Sequence, residues 1–238
     1  MKQWTEESLA WYIEAGRRSQ YPKAILDKLR PHLRSDDVLL DIGSGPGLYA
    51  LALYQEIKEI YNLDSQGLAL EFLRGQAKAM GANNIHIVEG VWPDADFQRS
   101  VDVVLAAFSS GQVMRDAASI RKMLALGPRM LVFVAPAKTG KKFFRDRSSR
   151  DNGDRRPAHQ QTLDILTELG LTYSCEELDI DFGQPVANLE EAAAFLSEQL
   201  RIDALKARQH AEKIGFPTDY GWYLPNPRHT ALIIVKNC

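Results

Sequence analysis

Short apolar runs alternate with longer amphipathic ones along almost the whole chain, and nothing else in the sequence limits the fold as tightly. "DVLLDIG" followed by "PGLYALALYQEI", and "IKEIYNLD" followed by "SQGLALEFLRGQAKAMG", each read as a strand leading into a helix, the second helix closed by Gly81. "NIHIVEG" and "VDVVLAAF" read as third and fourth strands, "DAASIRKMLALG" as a helix, "RMLVFVAP" as a fifth strand, "QQTLDILTELG" as a helix and "LTYSCEELDIDF" as a sixth strand. Residues 188–214 have a helical pattern, "HTALIIVKN" is the last strand, and two helical patterns at 4–18 and 22–33 precede the first strand. Strands separated by helices of this length must be joined by crossovers, which predicts an α/β fold with a largely parallel sheet covered on both faces. A chain of 238 residues suits one domain of this kind. The expected parts are a helical cap at 1–34, a core at 35–136, a loop at 137–157 and a C-terminal part at 158–238 with a helical insertion at 184–229.

Composition excludes several classes of function. Lys plus Arg number 29 against 31 Asp plus Glu, so no global basic field argues for nucleic acid as a partner. The start, "MKQWTEESLAWYIEAGRRSQ", mixes charge into its apolar positions, unlike a secretory signal, and no window is apolar for long enough to span a bilayer. Only Cys175 and Cys238 occur, far apart, so neither a disulfide framework nor a metal site is expected, and a reducing cytoplasm is the plain setting. The one compositional break is 138–156, "KTGKKFFRDRSSRDNGDRR", which holds eight basic and three acidic residues without an apolar period and reads as a long loop.

The stretch "VLLDIGSGPGLYALAL" places Gly43, Gly45 and Gly47 where the first strand meets the first helix. In an open parallel sheet that junction is where ligands bind, and glycines there let backbone N–H groups approach a ligand without intervening Cβ atoms. The spacing is G-x-G-x-G, with Leu48 where the dinucleotide fingerprint would have its third glycine. Asp41, two residues before the first glycine, would repel a pyrophosphate and suit a cationic ligand.

"LLDIGSGPG" resembles motif I of the class I S-adenosylmethionine-dependent methyltransferases, and the similarity runs from about Asp36 to Pro136. The resemblance implies a Rossmann-like seven-stranded, mostly parallel sheet with an antiparallel last strand. It implies S-adenosylmethionine as cofactor, held by Asp41, Gly43, Ser44, Gly45 and Gly47 of the turn. Asp64, which ends the second strand, would grip the ribose hydroxyls, Ser65 beside it would also contact the cofactor, and Glu89, Gly90, Val91 and Trp92 would flank the adenine. Ala106, Ala107 and Phe108, at the end of the fourth strand, would lie beside the transferred methyl. The chain lacks the Asn-Pro-Pro-aromatic tetrad of enzymes that methylate base amino groups, and it lacks the acidic metal ligands of catechol-type enzymes. A small or medium-sized acceptor is expected, and no residue is singled out as a catalytic base.

The acceptor side is marked only by aromatic residues. Trp4, Trp11 and Tyr12, the pair Phe143 and Phe144 in the basic loop, and Tyr220, Trp222, Tyr223 and His229 before the last strand are all expected to fall on one edge of the sheet. The N-terminal helices and residues 184–229 would roof the cleft there, with Trp4, Trp11 and Tyr12 serving mainly to pack the helix onto the domain and His229 as a weak candidate for a base. Two other readings share these features: an NAD-dependent oxidoreductase on the same fold, and a non-catalytic module that binds S-adenosylmethionine or, through 138–156, RNA in a salt-dependent manner.

Overall fold

The computed structural model of the chain describes residues 3–137, Phe144 and 156–236. The expected basic loop therefore lies outside the described residues except for Phe144 and Arg156, and Phe143 and Cys238 lie outside them too.

Helix α1 (Glu6–Arg18) begins at Thr5, whose hydroxyl accepts from the Ser8 amide while the Ser8 hydroxyl accepts from the Thr5 amide, a reciprocal cap. It is followed by α2 (Lys23–Leu29) and a short 3-10 turn (Arg30–His32). The chain then alternates: β1 (Val38–Ile42), α3 (Leu48–Leu53), β2 (Glu59–Asp64), α4 (Gly67–Met80), β3 (Ile85–Glu89) and β4 (Val103–Ala107). After these come α5 (Gly111–Met114), α6 (Ala117–Leu124), β5 (Met130–Pro136), α7 (Ala158–Glu168) and β6 (Tyr173–Asp181). The remainder is β7 (Gln184–Val186), α8 (Leu189–Leu200), α9 (Ala204–Ile214), β8 (Phe216–Thr218), β9 (Gly221–Leu224) and β10 (Pro227–Lys236).

The main sheet has seven strands in the order β3-β2-β1-β4-β5-β10-β6, all parallel except β10, which runs against both its neighbours. Strand order reverses between β1 and β4, so a crevice opens beyond their carboxyl ends. Central strands read as continuous apolar runs because helices cover both faces: in β5, Met130 to Ala135 are all buried. One core layer gathers Leu40, Phe133 and Met123, the other Ile25, Leu29, Leu39 and Leu53. The second helix of the expected cap, α2, thus packs on the sheet; α1 alone stays over the cleft.

A second, three-stranded antiparallel sheet, β7-β9-β8, sits with α8 and α9. It corrects the reading of 184–229 as a helical insertion: the helices form there, framed by strands of only three or four residues. Trp11, Phe144, Phe195 and Leu224 form a cluster of their own in this region, which joins α1, the basic loop and α8.

Beneath the sheet's amino-terminal edge, buried Asp37 accepts from Arg129 Nε at 3.0 Å and from the Arg34 amide at 2.7 Å, and Arg129 also donates to the His32 carbonyl. Removing the carboxylate would strand a partly buried guanidinium. Asp37→Ala is therefore expected to lower stability by about 2–3 kcal/mol, read as a lower urea midpoint at unchanged slope.

Candidate functional site

Backbone geometry makes the glycine turn. Gly43, Gly45 and Gly47 have φ of 74°, 54° and 76°, the left-handed region that side chains disfavour. The Gly43 amide donates to the Leu63 carbonyl at 2.7 Å and the Gly45 amide to Asp64 Oδ2 at 2.8 Å, so the turn is tied to the end of β2. Asp64 Oδ1 accepts from the Gln66 amide at 2.9 Å. On the other side Ser109, just past β4, donates its hydroxyl to the Ile42 carbonyl at 2.6 Å. A Cβ on Gly43 would come within 2.7 Å of that hydroxyl oxygen. Ser109 is thus committed to closing the switch point.

A cavity of about 630 Å³ opens over this turn. Its floor is Gly43, Ser44, Gly45, Asp64 and Ser65, with Gly90, Val91 and Trp92 at one side and Ala107 and Phe108 at the end of β4. Its far wall is aromatic: Trp4, just before α1, Trp11 and Tyr12 on α1, with Phe144, Phe182 and Phe195. Ring contacts hold that wall together, Trp4 on Tyr12 at 5.1 Å, Trp11 on Phe195 at 5.0 Å and Phe144 on Phe195 at 4.9 Å between centroids. Trp4, Trp11 and Tyr12 do pack the N-terminal helix down, and they line the cavity while doing so.

Some expected site residues lie elsewhere. Ala106 is fully buried in the core under the sheet, and its neighbour Ala107 faces the cavity. Glu89 is exposed beyond the lining, and Gly47 serves as the left-handed cap of α3 against Leu73. Trp92 lines the cavity but is itself buried, its indole N–H donating to Ser119 Oγ at 2.9 Å. His229 lies off the cavity altogether, between Asp179 Oδ1 at 2.7 Å and Glu177 Oε2 at 2.6 Å on β6. As a candidate base it is displaced: successive residues of a strand point to opposite faces, and Arg228, one position earlier, is the residue that reaches the cavity. Sequence reasoning passed over Arg228, although a lone cation entering the apolar run "HTALIIV" was a signal that could have found it.

Electrostatics set the turn apart from an ordinary loop. Asp41, at the end of β1, is buried with Oδ2 lacking any hydrogen-bond partner among the described residues. Burial, reinforced by the nearby Asp64 carboxylate, pushes its pKa up to about 8. Ser44 Oγ is likewise buried without a partner. Burial also raises the phenol of Tyr12, to about 12, keeping it a neutral donor.

S-adenosylmethionine fits what is present. A Cβ on Gly45 would meet nothing within 4 Å, so the backbone there faces open cavity; Ser44, which lines the cavity, has an orphaned hydroxyl suited to a hydrogen-bonding ligand, and Asp41, buried outside the lining, adds an orphaned carboxyl oxygen that favours a cationic one; and the volume is that of a cofactor-sized cleft. Among the described residues no group of three or more His, Cys, Asp or Glu is placed to hold a metal ion, and no helix is long and apolar enough to cross a membrane.

Residues 39–130 match a family model described as a methyltransferase domain. An uncharacterized protein of Methanocaldococcus jannaschii is 32% identical over 71 residues, covering 30% of this chain and 27% of that protein. The chain thus spans about a quarter of the length of this curated relative. Among solved structures, the YcgJ protein of Bacillus subtilis superposes with a TM-score of 0.61 at 15% identity, covering 91% of this chain and 99% of that one. Precorrin-6y C5,15-methyltransferase of Geobacter metallireducens does so with a TM-score of 0.54 at 18% identity, covering 90% and 87%. The protein carries a methyltransferase domain and has the fold of the class I S-adenosylmethionine-dependent methyltransferases.

Proposed function

We propose that the protein transfers a methyl group from S-adenosylmethionine to a small or medium-sized acceptor held in the aromatic half of the cavity. The observation that carries this reading is the continuity of one cavity from the glycine turn, across Phe108 at the end of β4, to the aromatic wall. When bound, S-adenosylmethionine supplies a methyl already activated by the sulfonium, so the chain's task is alignment and exclusion of water. In this reading Asp64 receives the ribose hydroxyls, Gly90 to Trp92 border the adenine, and Ser44 and Gly45 present backbone to the cofactor. Phe108, held at a positive φ of 51° with its amide on the Val134 carbonyl at 2.8 Å, borders both halves. Tyr12, Trp11 and Phe195 keep water from the acceptor.

The test is calorimetric titration with S-adenosylhomocysteine, then NADH, before and after Asp64→Ala. The wild type is expected to bind S-adenosylhomocysteine and not NADH, which an oxidoreductase would reverse. Asp64→Ala is expected to weaken binding about ten- to a hundredfold, because a charged hydrogen bond to ribose contributes roughly 1.5–3 kcal/mol and the Gly45 amide loses its anchor as well. An unchanged dissociation constant would mean that the ribose is held elsewhere.

A further inference from the structure

Arg228 opens β10 opposite Ile180 of β6, and its guanidinium lies 4.7 Å from the centroid of the Phe182 ring and 5.8 Å from that of Phe108. Among the described residues it is the only basic side chain lining the cavity; the acidic one, Asp64, belongs to the cofactor turn. A cation brought into an aromatic chamber loses hydration, and such a guanidinium gains more from an anion than an exposed one does. Burial lowers Arg228 to about 10, so it still carries its charge at neutral pH. The surrounding faces, those of Trp4, Trp11, Tyr12 and Phe195, offer stacking and apolar contact.

We infer that the acceptor is a small aromatic or unsaturated acid whose carboxylate is received by Arg228 and whose ring is held by the aromatic wall. The planar fork of a guanidinium matches a carboxylate through two parallel hydrogen bonds, a geometry that a lysine would not supply. Phe108, at the end of β4, borders the guanidinium, so a ligand whose carboxylate is fixed there lies in the same cavity as the proposed methyl transfer. The inference rests on that proposed reaction for the acceptor's role, although recognition of the acid does not depend on it. The cofactor has a carboxylate too, so the experiment separates the two sources.

The full-length protein would be titrated calorimetrically with benzoate and indole-3-acetate, and with their neutral counterparts benzamide and indole-3-acetamide, each with and without saturating S-adenosylhomocysteine. At least one acid is expected to bind about tenfold or more tightly than its amide, the size of one charge-assisted pair. Arg228→Gln should erase that preference, Arg228→Lys should keep part of it, and neither should change S-adenosylhomocysteine affinity by more than about threefold. Equal affinity for acid and amide in the wild type, or no binding of either acid up to millimolar concentration, overturns the inference without any variant having to fold. Loss of S-adenosylhomocysteine binding in a folded Arg228→Gln, with the acid preference intact, also overturns it, because Arg228 would then serve the cofactor. Failure of the wild type to bind S-adenosylhomocysteine would sink the methyltransferase reading instead, and an acid preference measured without it would still uphold the role of Arg228.

Discussion

Gly45→Val is expected to leave a folded protein that no longer binds S-adenosylhomocysteine. At φ 54° a non-glycine residue is strained by about 1–2 kcal/mol, and a β-branched one by the upper part of that range. The domain can bear this, since a Cβ at position 45 would touch no protein atom within 4 Å. For the same reason the side chain would project into the cavity, where the proposed cofactor meets backbone. Affinity should fall about a hundredfold or more, beyond about 2.7 kcal/mol. Gly47→Ala is the control with the opposite signature. Its φ is 76°, its Cβ would lie 2.5 Å from a methyl of fully buried Leu73, and it does not line the cavity. It should cost stability, about 2 kcal/mol, and spare binding in whatever fraction folds. Thermal unfolding alongside calorimetry separates the pair; normal binding by Gly45→Val would make the turn purely architectural.

Much of this architecture was legible in the sequence because the central strands are buried on both faces and so must be continuously apolar, and because a left-handed turn at a strand end leaves glycine as its mark. The small sheet was not legible. Its strands β7, β8 and β9 have only three or four residues and contain Pro185, Pro217 and Gly221, so no alternation builds up, and although β8 and β9 form a local hairpin, β7 pairs with β9 across nearly forty positions. The floor of the cavity was legible, since Gly43, Ser44, Gly45, Asp64 and the residues from Gly90 to Trp92 line it together while Asp41 is buried outside the lining; the aromatic half was less so. There, topology brought the start of the last strand to the right edge without saying which of its side chains turns inward, and successive residues of a strand take opposite faces, so Arg228, and not His229, lines the cavity. Ala106 and Ala107 differ by the same parity. Phe144, expected on the acceptor edge, is buried there against Phe195.

Asp41 shows what sequence cannot supply, since its letter gives a carboxylate and its surroundings decide the charge. With a pKa near 8 it is mostly protonated at neutral pH in the free protein. The folded value lies above the unfolded one of 3.8, so between pH 4 and pH 8 the native state holds a proton that the unfolded chain has released. Stability is fullest below that window and falls as pH rises through it. Asp41→Asn removes the titration. At pH 8.5 the variant is therefore expected to be more stable than the wild type by roughly 2–5 kcal/mol, and the difference should shrink steadily toward pH 4. Binding should change in the other direction. A ligand that brings positive charge beside Asp41 favours the carboxylate, so S-adenosylmethionine affinity should climb with pH, up to about tenfold per pH unit below 8, with uptake coupled to proton release. S-adenosylhomocysteine lacks the sulfonium charge and should show a shallower slope, and Asp41→Asn should flatten both. Calorimetry in two buffers of different ionisation enthalpy counts the protons released. Identical slopes for the two ligands in the wild type would mean that Asp41 does not face the sulfonium, and a wild type whose stability is flat from pH 4 to 8 would mean that water reaches the carboxylate after all.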